Sequence, residues 1–355
     1  MSTLATNAIT DAAGGNTATI NGQTPTVSNM AGRNKIINGS MVFDQRNAGA
    51  AVTINSSAYT YPVDRFAGFG EPTDGVFTLQ QSSTAPTGFT NSLLATVTTA
   101  DASIGTSQRY FIRQVIEGYN ISDLGFGAAG ATTVTLSFWT RSSLTGTFGG
   151  TLMNEAFDRA YPFTYTISAA DTWEQKTITV AGDTSGTWLK TNGAGLFICW
   201  SMGAGATRLG TAGAWQTPAG ALFGATGQTN IIATSGATFY ITGVQLEAGS
   251  VATTFERRQY GQELALCQRY YEICTFSCIW SGYATSGNNF FSNNFYKVAK
   301  RANATTTTTN QGVVNFPTTA PSVNTSTIEG FDAYKAPSAT GTGYFQYTWT
   351  ASAEL

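Results

Sequence analysis

The sequence predicts a mainly β protein: an antiparallel jelly-roll β-sandwich, a short neck helix and a small C-terminal β-domain. Three observations carry this expectation. Runs of alternating apolar and polar residues recur between Gly-rich or polar stretches, as in Thr133–Arg141 and Leu196–Met202. Charged residues make up only 11% of the chain, well below the usual quarter, and Thr, Ser, Asn, Gly and Ala take their place. Only the segment from Gln259 to Glu272 has a good helical period. A length of 355 residues allows two or three domains and a sizeable core.

Residues 1–32 carry one charge, Asp11, and few large apolar residues (Leu4, Ile9, Ile20, Val27). They read either as a disordered tail or as an extended arm that orders against a neighbouring subunit. Residues 33–255 read as the β-sandwich. Val134, Leu136 and Phe138 share one face of a strand, with Trp139 and Arg141 opposite. Leu196, Ile198, Trp200 and Met202 share a face in the same way, and Phe239 and Ile241 oppose Tyr240 and Thr242. Thr177–Val180 is a further strand. Residues 68–75, 125–131, 145–151, 182–195 and 203–237 read as loops between the strands.

Residues 256–272 read as a neck helix. Tyr260, Leu264, Cys267 and Tyr271 are spaced 4, 3 and 4 apart, the seam of a two-heptad coiled coil. This helix either lies on its own domain or packs against its copies on a symmetry axis. Residues 247–272 also hold seven charges: Glu247, Glu256, Arg257, Arg258, Glu263, Arg269 and Glu272. Such a concentration fits the setting of register between chains. Residues 273–355 form a separate aromatic-rich unit. Its strands are expected over Thr305–Thr309 and over the last segment, where Phe345, Tyr347 and Trp349 alternate on one face.

The chain has no histidine, which removes the commonest general base and the commonest metal ligand. Cys199, Cys267, Cys274 and Cys278 lack zinc-site spacing. They read as free thiols in a chain folded in a reducing cytoplasm, and no metal or cofactor is expected. The formal net charge of −2 gives no handle for nucleic acid. The first residues do not resemble a signal peptide, and no apolar run is long enough to span a bilayer, so membrane insertion is not expected. The carboxylate pairs Glu71/Asp74, Glu155/Asp158, Asp171/Glu174 and Glu329/Asp332 sit mostly beside turn residues. No enzyme activity is expected from them. Sugar binding suits the composition better, because aromatic faces stack on pyranose rings. Trp139 with Arg141 is one candidate site; Trp280, Tyr283 and Tyr296 are the other. Each set has a competing reading, as a covered second face and as a plain aromatic core respectively.

Arg33–Met41, Phe43–Gly49, Tyr61–Phe66, Val134–Gly150, Tyr161–Tyr165, the strand–helix segment from Phe239 and the ending Trp349–Leu355 together resemble a bacteriophage tail-fibre family. The resemblance covers nearly the whole chain from residue 33. It implies a virion protein, assembled in the host cytoplasm, with a carbohydrate-binding-module-like jelly roll and usually a homotrimeric state. The expected function is a tail fibre or adhesin that recognises a host surface polysaccharide, attached to other virion proteins through the arm at 1–32. A capsid-attached or head-decoration protein with a purely structural role, and a glycan depolymerase, are the other two readings.

Overall fold

A computed structural model describes residues 32–71 and 74–355; the expected N-terminal arm lies outside the described residues except for Gly32. In chain order the strands of the body are β1 (Val52–Ile54), β2 (Thr60–Val63), β3 (Phe66–Phe69), β4 (Val76–Ser82), β5 (Ser92–Thr99), β6 (Arg109–Glu117) and β7 (Val134–Ser142). They continue as β8 (Gly146–Met153), β9 (Ala160–Ile167), β10 (Glu174–Val180), β11 (Ala194–Ala204), the two-residue β12 (Leu209–Gly210) and β13 (Gly224–Ala225), and β14 (Thr238–Ala248). Two six-stranded antiparallel sheets form, ordered β1-β4-β5-β14-β7-β10 and β2-β3-β6-β11-β8-β9. The chain passes back and forth between them, so strands far apart in sequence become neighbours. This is a jelly-roll sandwich.

The period-2 patterns decide which face each strand buries. Val134, Leu136 and Phe138 point between the sheets, where they meet Phe66, Phe77, Phe148, Ile198, Trp200 and Ile241. All of these side chains are fully buried. The second sheet is also covered on its outer side. Phe69, Phe111, Val115, Phe197 and Cys199 pack there under Leu222 and Phe223. These two residues come from 203–237, a stretch expected to be a plain loop.

Two expectations need correction. Residues 145–151 are not a loop, because β8 is an interior strand paired with both β9 and β11. Its glycines answer to crowding rather than to a turn. A Cβ on Gly150 would lie 2.3 Å from the Phe163 ring and 2.4 Å from the Cys199 carbonyl oxygen. The second correction concerns the neck helix, which is shorter than 256–272. Helix α1 covers Tyr260–Gln268, opened by a Gln259/Gln262 capping box. Tyr271 already belongs to β15 (Tyr271–Ala284). The aromatic and β-branched run Tyr271-Glu-Ile-Cys-Thr-Phe explains the switch.

The C-terminal unit adds β16 (Phe290–Phe295), β17 (Thr305–Val314), β18 (Ser322–Ser326), β19 (Gly330–Lys335) and β20 (Gly341–Ser352). They form two three-stranded sheets, β15-β20-β17 and β16-β19-β18. Phe345, Tyr347 and Trp349 of β20 fill the core between them, as alternation predicts.

The two bodies are bolted by buried charge. Glu354 pairs with Arg46 at 2.8 Å and with Arg65. The Arg65 guanidinium lies 3.5 Å from the centre of the Tyr270 ring. Lys300, itself buried, donates to Glu272 and to the Gln268 carbonyl, both at 2.7 Å. The charges gathered at 247–272 therefore serve contacts within one chain. Glu256 accepts the backbone N–H groups of Gly32 and Asn34, and Arg258 pairs with Glu263 at 3.1 Å.

Candidate functional site

The outer face of the first sheet divides at a β-bulge in β14, where Gly243 adopts φ +61 and the register with β7 shifts between Thr242 and Gln245. Beyond the bulge the face is closed. Gln245 and Glu247 are buried and hydrogen-bonded to the segment that follows the strand, through Thr253 and the backbone N–H of Glu256. Before the bulge the face is open. There Trp139 stands between Gln175 of β10 and Thr242 of β14, and Arg141 stands beside Tyr240.

Trp173, immediately before β10, completes the group. Its ring centre is 5.9 Å from that of Tyr240 at 67°, and the Arg141 guanidinium lies 5.1 Å from the Tyr240 ring centre. Arg141 is held in place by Asp171, donating to its backbone carbonyl at 2.9 Å and to its carboxylate at 3.0 Å. Trp139, Arg141, Trp173 and Tyr240 are all half-buried. The result is a shallow platform of three aromatic rings beside a fixed guanidinium, bordered by the exposed Gln175. Rings of this kind offer apolar faces, while Arg141, Asp171 and Gln175 offer hydrogen bonds.

Sequence reasoning found Trp139 and Arg141 but missed Trp173 and Tyr240 as their companions. The signal for Trp173 was present. It alternates with Gln175, Thr177 and Thr179, whereas Ile178 and Val180 take the inner face.

The second expected site does not assemble. Trp280 packs in the C-terminal core against Phe290 at 4.8 Å and Phe345 at 5.9 Å. Tyr296 is buried, with its hydroxyl on Thr306 and Ser326 and its ring beside Phe331 and Trp349. Tyr283 is 69% exposed and lies on the opposite side of β15 from Trp280. These three residues therefore do not share a surface.

The neck residues also separate. Cys267 is buried and Leu264 half-buried against Ile37, Phe43 and Tyr270 of the same chain. Tyr260 is 68% exposed, and its ring centre sits 4.7 Å from that of Phe43. Tyr271 is buried in the strand beneath Arg46, whose guanidinium lies 3.6 Å from the ring centre. Of the seam expected at Tyr260, Leu264, Cys267 and Tyr271, Leu264 and Cys267 are thus directed onto the chain's own body, Tyr260 stays exposed and Tyr271 lies in the following strand. Burial pushes the Cys267 thiol well above its ordinary pKa and the Cys199 thiol up to about 12, so neither is a nucleophile at neutral pH.

The carboxylate pairs stabilise local structure. Glu174 accepts from Lys176 and from the backbone of Ser168 and Ala169. Asp158 accepts from Asn154, and Asp332 from Asn324. Among the described residues, no group of three or more His, Cys, Asp or Glu is arranged to hold a metal ion, and no helix is long and apolar enough to cross a membrane. A cavity of about 180 Å³ lies between residues 34–43 and the start of α1, lined by Phe43, Phe255 and Tyr260. Its carboxylates and guanidiniums are already engaged with the chain itself, which leaves the open platform as the better site.

No family model matches the chain, and no curated protein matches it. Among solved structures it is similar to an enzymatically active domain of tailspike protein 4 from bacteriophage CBA120, at 11% identity and a TM-score of 0.30. That match covers 61% of this chain and 21% of the tailspike chain, so this chain spans about a fifth of that protein's length. It is also similar to a putative sugar binding protein from Bacteroides thetaiotaomicron, at 13% identity and a TM-score of 0.34, over 61% of this chain and 100% of that one. The CBM22-1 xylan-binding domain of Paenibacillus barcinonensis Xyn10C matches at 11% identity and a TM-score of 0.27, over 58% of this chain and 99% of that one. Scores this low decide nothing about activity, ligand or assembly.

Proposed function

We propose that this chain is a non-catalytic adhesin that binds a surface polysaccharide through the Trp139–Arg141–Trp173–Tyr240 platform. The carrying observation is the platform itself. It places the half-buried rings of Trp139, Trp173 and Tyr240 and an Asp171-anchored guanidinium on one face of a rigid sheet, with Tyr240 in contact with both Trp173 and Arg141. Flat, preorganised aromatic surface costs little entropy on binding and suits the C–H faces of pyranose rings.

A tail-fibre role in a virion rests on the resemblance of segments such as Arg33–Met41 and Tyr61–Phe66 to phage fibres. Trimeric assembly belongs to the same reading. With Leu264 and Cys267 turned inward, the C-terminal unit supplies the apolar surface for it: Phe276 is 80% exposed, Ile279 57% and Phe295 81%. Three linked platforms would raise avidity by about 10²–10⁴ without any new contact. Trp139→Ala combined with Trp173→Ala tests the reading. Binding to host-envelope polysaccharide should fall about tenfold or more per site, with thermal stability retained. Unchanged binding by a folded double variant overturns it.

A further inference from the structure

The C-terminal unit holds a recess that the platform does not use. It lies on the outer face of the β16-β19-β18 sheet, where alternation turns Asn293 and Phe295 of β16 and Asp332 of β19 outward. Asn293 stands directly opposite Asp332, and Asp332 directly opposite Thr325 of β18. Cross-strand partners of this kind have Cβ atoms about 4.5–5.5 Å apart, so the three side chains form one polar row. The exposed Phe295 stands two residues beyond Asn293 on the same side of β16, about 7 Å along the strand. Opposite it is Gly330, where a Cβ would collide with the Asn294 carbonyl oxygen. That position carries no side chain to fill the space beside the ring. A cavity of about 230 Å³ follows, with Asn293, Phe295, Thr325, Glu329 and Asp332 in its lining.

The recess is held in shape. The register of β18 with β19 shifts between Val323 and Thr325, and the extra residue, Asn324, uses its side-chain amide as a brace. It donates to the Asp332 carboxylate at 2.9 Å and to the Thr325 hydroxyl at 3.3 Å. The Thr327 hydroxyl accepts the backbone N–H groups of Glu329 at 3.1 Å and Gly330 at 3.2 Å. The Glu329 carbonyl accepts the Tyr296 N–H at 2.9 Å. The Glu329/Asp332 pair therefore belongs to a fixed hollow, and a fixed hollow loses little entropy on binding.

The chemistry of the row limits what fits. A carboxylate beside an amide and a hydroxyl offers acceptors and donors side by side, which matches neighbouring sugar hydroxyls, each both donor and acceptor. The Phe295 ring offers an apolar face beside them. An anionic sugar would meet two carboxylates, and among the described residues no Lys or Arg is in the lining to answer it. We propose that this recess is a second glycan site, selective for a neutral sugar, with one hexose ring against Phe295 and its hydroxyls on Asp332 and Asn293. It shares no residue with the Trp139 platform, so either site stands or falls without the other. Phe295 also contributes to the apolar surface available for association, so mass has to be read together with binding.

The experiment is a saturation-transfer NMR titration of the full chain carrying Trp139→Ala and Trp173→Ala, which silences the platform. The probes are neutral tetrasaccharides of glucose, galactose and mannose, with tetragalacturonate and a glucosamine tetrasaccharide as charged controls. At least one neutral probe should bind, about tenfold or more tightly than the uronate. Adding Phe295→Ala or Asp332→Asn should weaken that binding about tenfold or more, with the mass in light scattering unchanged. Four results would overturn the assignment. These are no binding of any neutral probe, undiminished binding in both variants, loss of binding by Phe295→Ala only together with a fall in mass, or a preference for the glucosamine probe that about 0.5 M NaCl abolishes. If Asp332→Asn fails to fold, Phe295→Ala still decides the matter.

Discussion

Arg269 grips the buried Glu117 carboxylate through two parallel hydrogen bonds, Nε to Oε2 at 2.9 Å and Nη2 to Oε1 at 2.6 Å. Glu117 closes β6 of the sandwich, and Arg269 caps the end of α1. The Tyr270 hydroxyl donates to the same carboxylate at 2.6 Å. One buried anion therefore ties the sandwich to the helix that leads into the C-terminal unit. Arg269→Ala leaves that anion without its charge partner, and the expected loss is about 3 kcal/mol. Urea unfolding checks this; a change within error would show the contact to be idle.

Asp64 sits at the same joint, accepting from Gln45 and pairing with Arg46 at 3.2 Å. Burial nevertheless outweighs these partners and raises its carboxyl from 3.8 to about 6. Between about pH 4 and 6 the folded protein holds a proton that the unfolded chain releases. This group's stabilisation is complete below pH 4 and is lost as pH rises through 6. Asp64→Asn removes that loss. Relative to the unmodified protein, its stability should improve by roughly 2 kcal/mol between pH 4 and pH 7. Denaturant unfolding at the two pH values measures it, and a parallel response in both proteins would contradict it.

Trp280 and Tyr283, neighbours in sequence, should behave oppositely. Trp280→Ala empties part of the C-terminal core and should cost about 3–5 kcal/mol. Tyr283→Ala should leave thermal stability within about 0.5 kcal/mol. Differential scanning calorimetry of both variants separates a core residue from a surface one.

Assembly offers a similar contrast. Ile279→Asp places a charge on the exposed outer face of β15, and on the trimeric reading proposed above it should yield a folded monomer in light scattering. Leu264→Asp places a charge against Ile37 and Phe43 and should lower the melting temperature instead. A folded monomer from Leu264→Asp, with Ile279→Asp unchanged in mass, would return the association surface to the helix.

Much of this architecture is legible in the chain because period-2 alternation is a direct consequence of strand geometry. Val134, Leu136 and Phe138 declare their buried face, and so do Phe345, Tyr347 and Trp349. Glycine hides the same signal, since Gly149 and Gly150 carry no side chain to alternate, and an interior strand then reads as a loop. The spacing of Leu264 and Cys267 marks an apolar stripe on the helix, but spacing does not say which surface will cover such a stripe. The platform was half visible in Trp139 and Arg141. Trp173 and Tyr240 joined it only through strand pairings with distant segments.

Two buried asparagines near the start of the body have a plain physical use. Asn34 accepts from the backbone of Ile36 and Leu246 and donates to the Val244 carbonyl. Asn38 bonds both Phe43 and the Asp64 carbonyl. Both are buried, and they fasten the chain's entry to β14 and to the joint.

The most direct test of the adhesin reading is polysaccharide binding by Trp139→Ala/Trp173→Ala against the unmodified protein, with the polymer's chain length followed in the same samples. The account predicts binding reduced about tenfold or more by the double variant and a chain length that no sample changes. Full binding by the folded double variant, or shortening of the polymer by the unmodified protein, would contradict it.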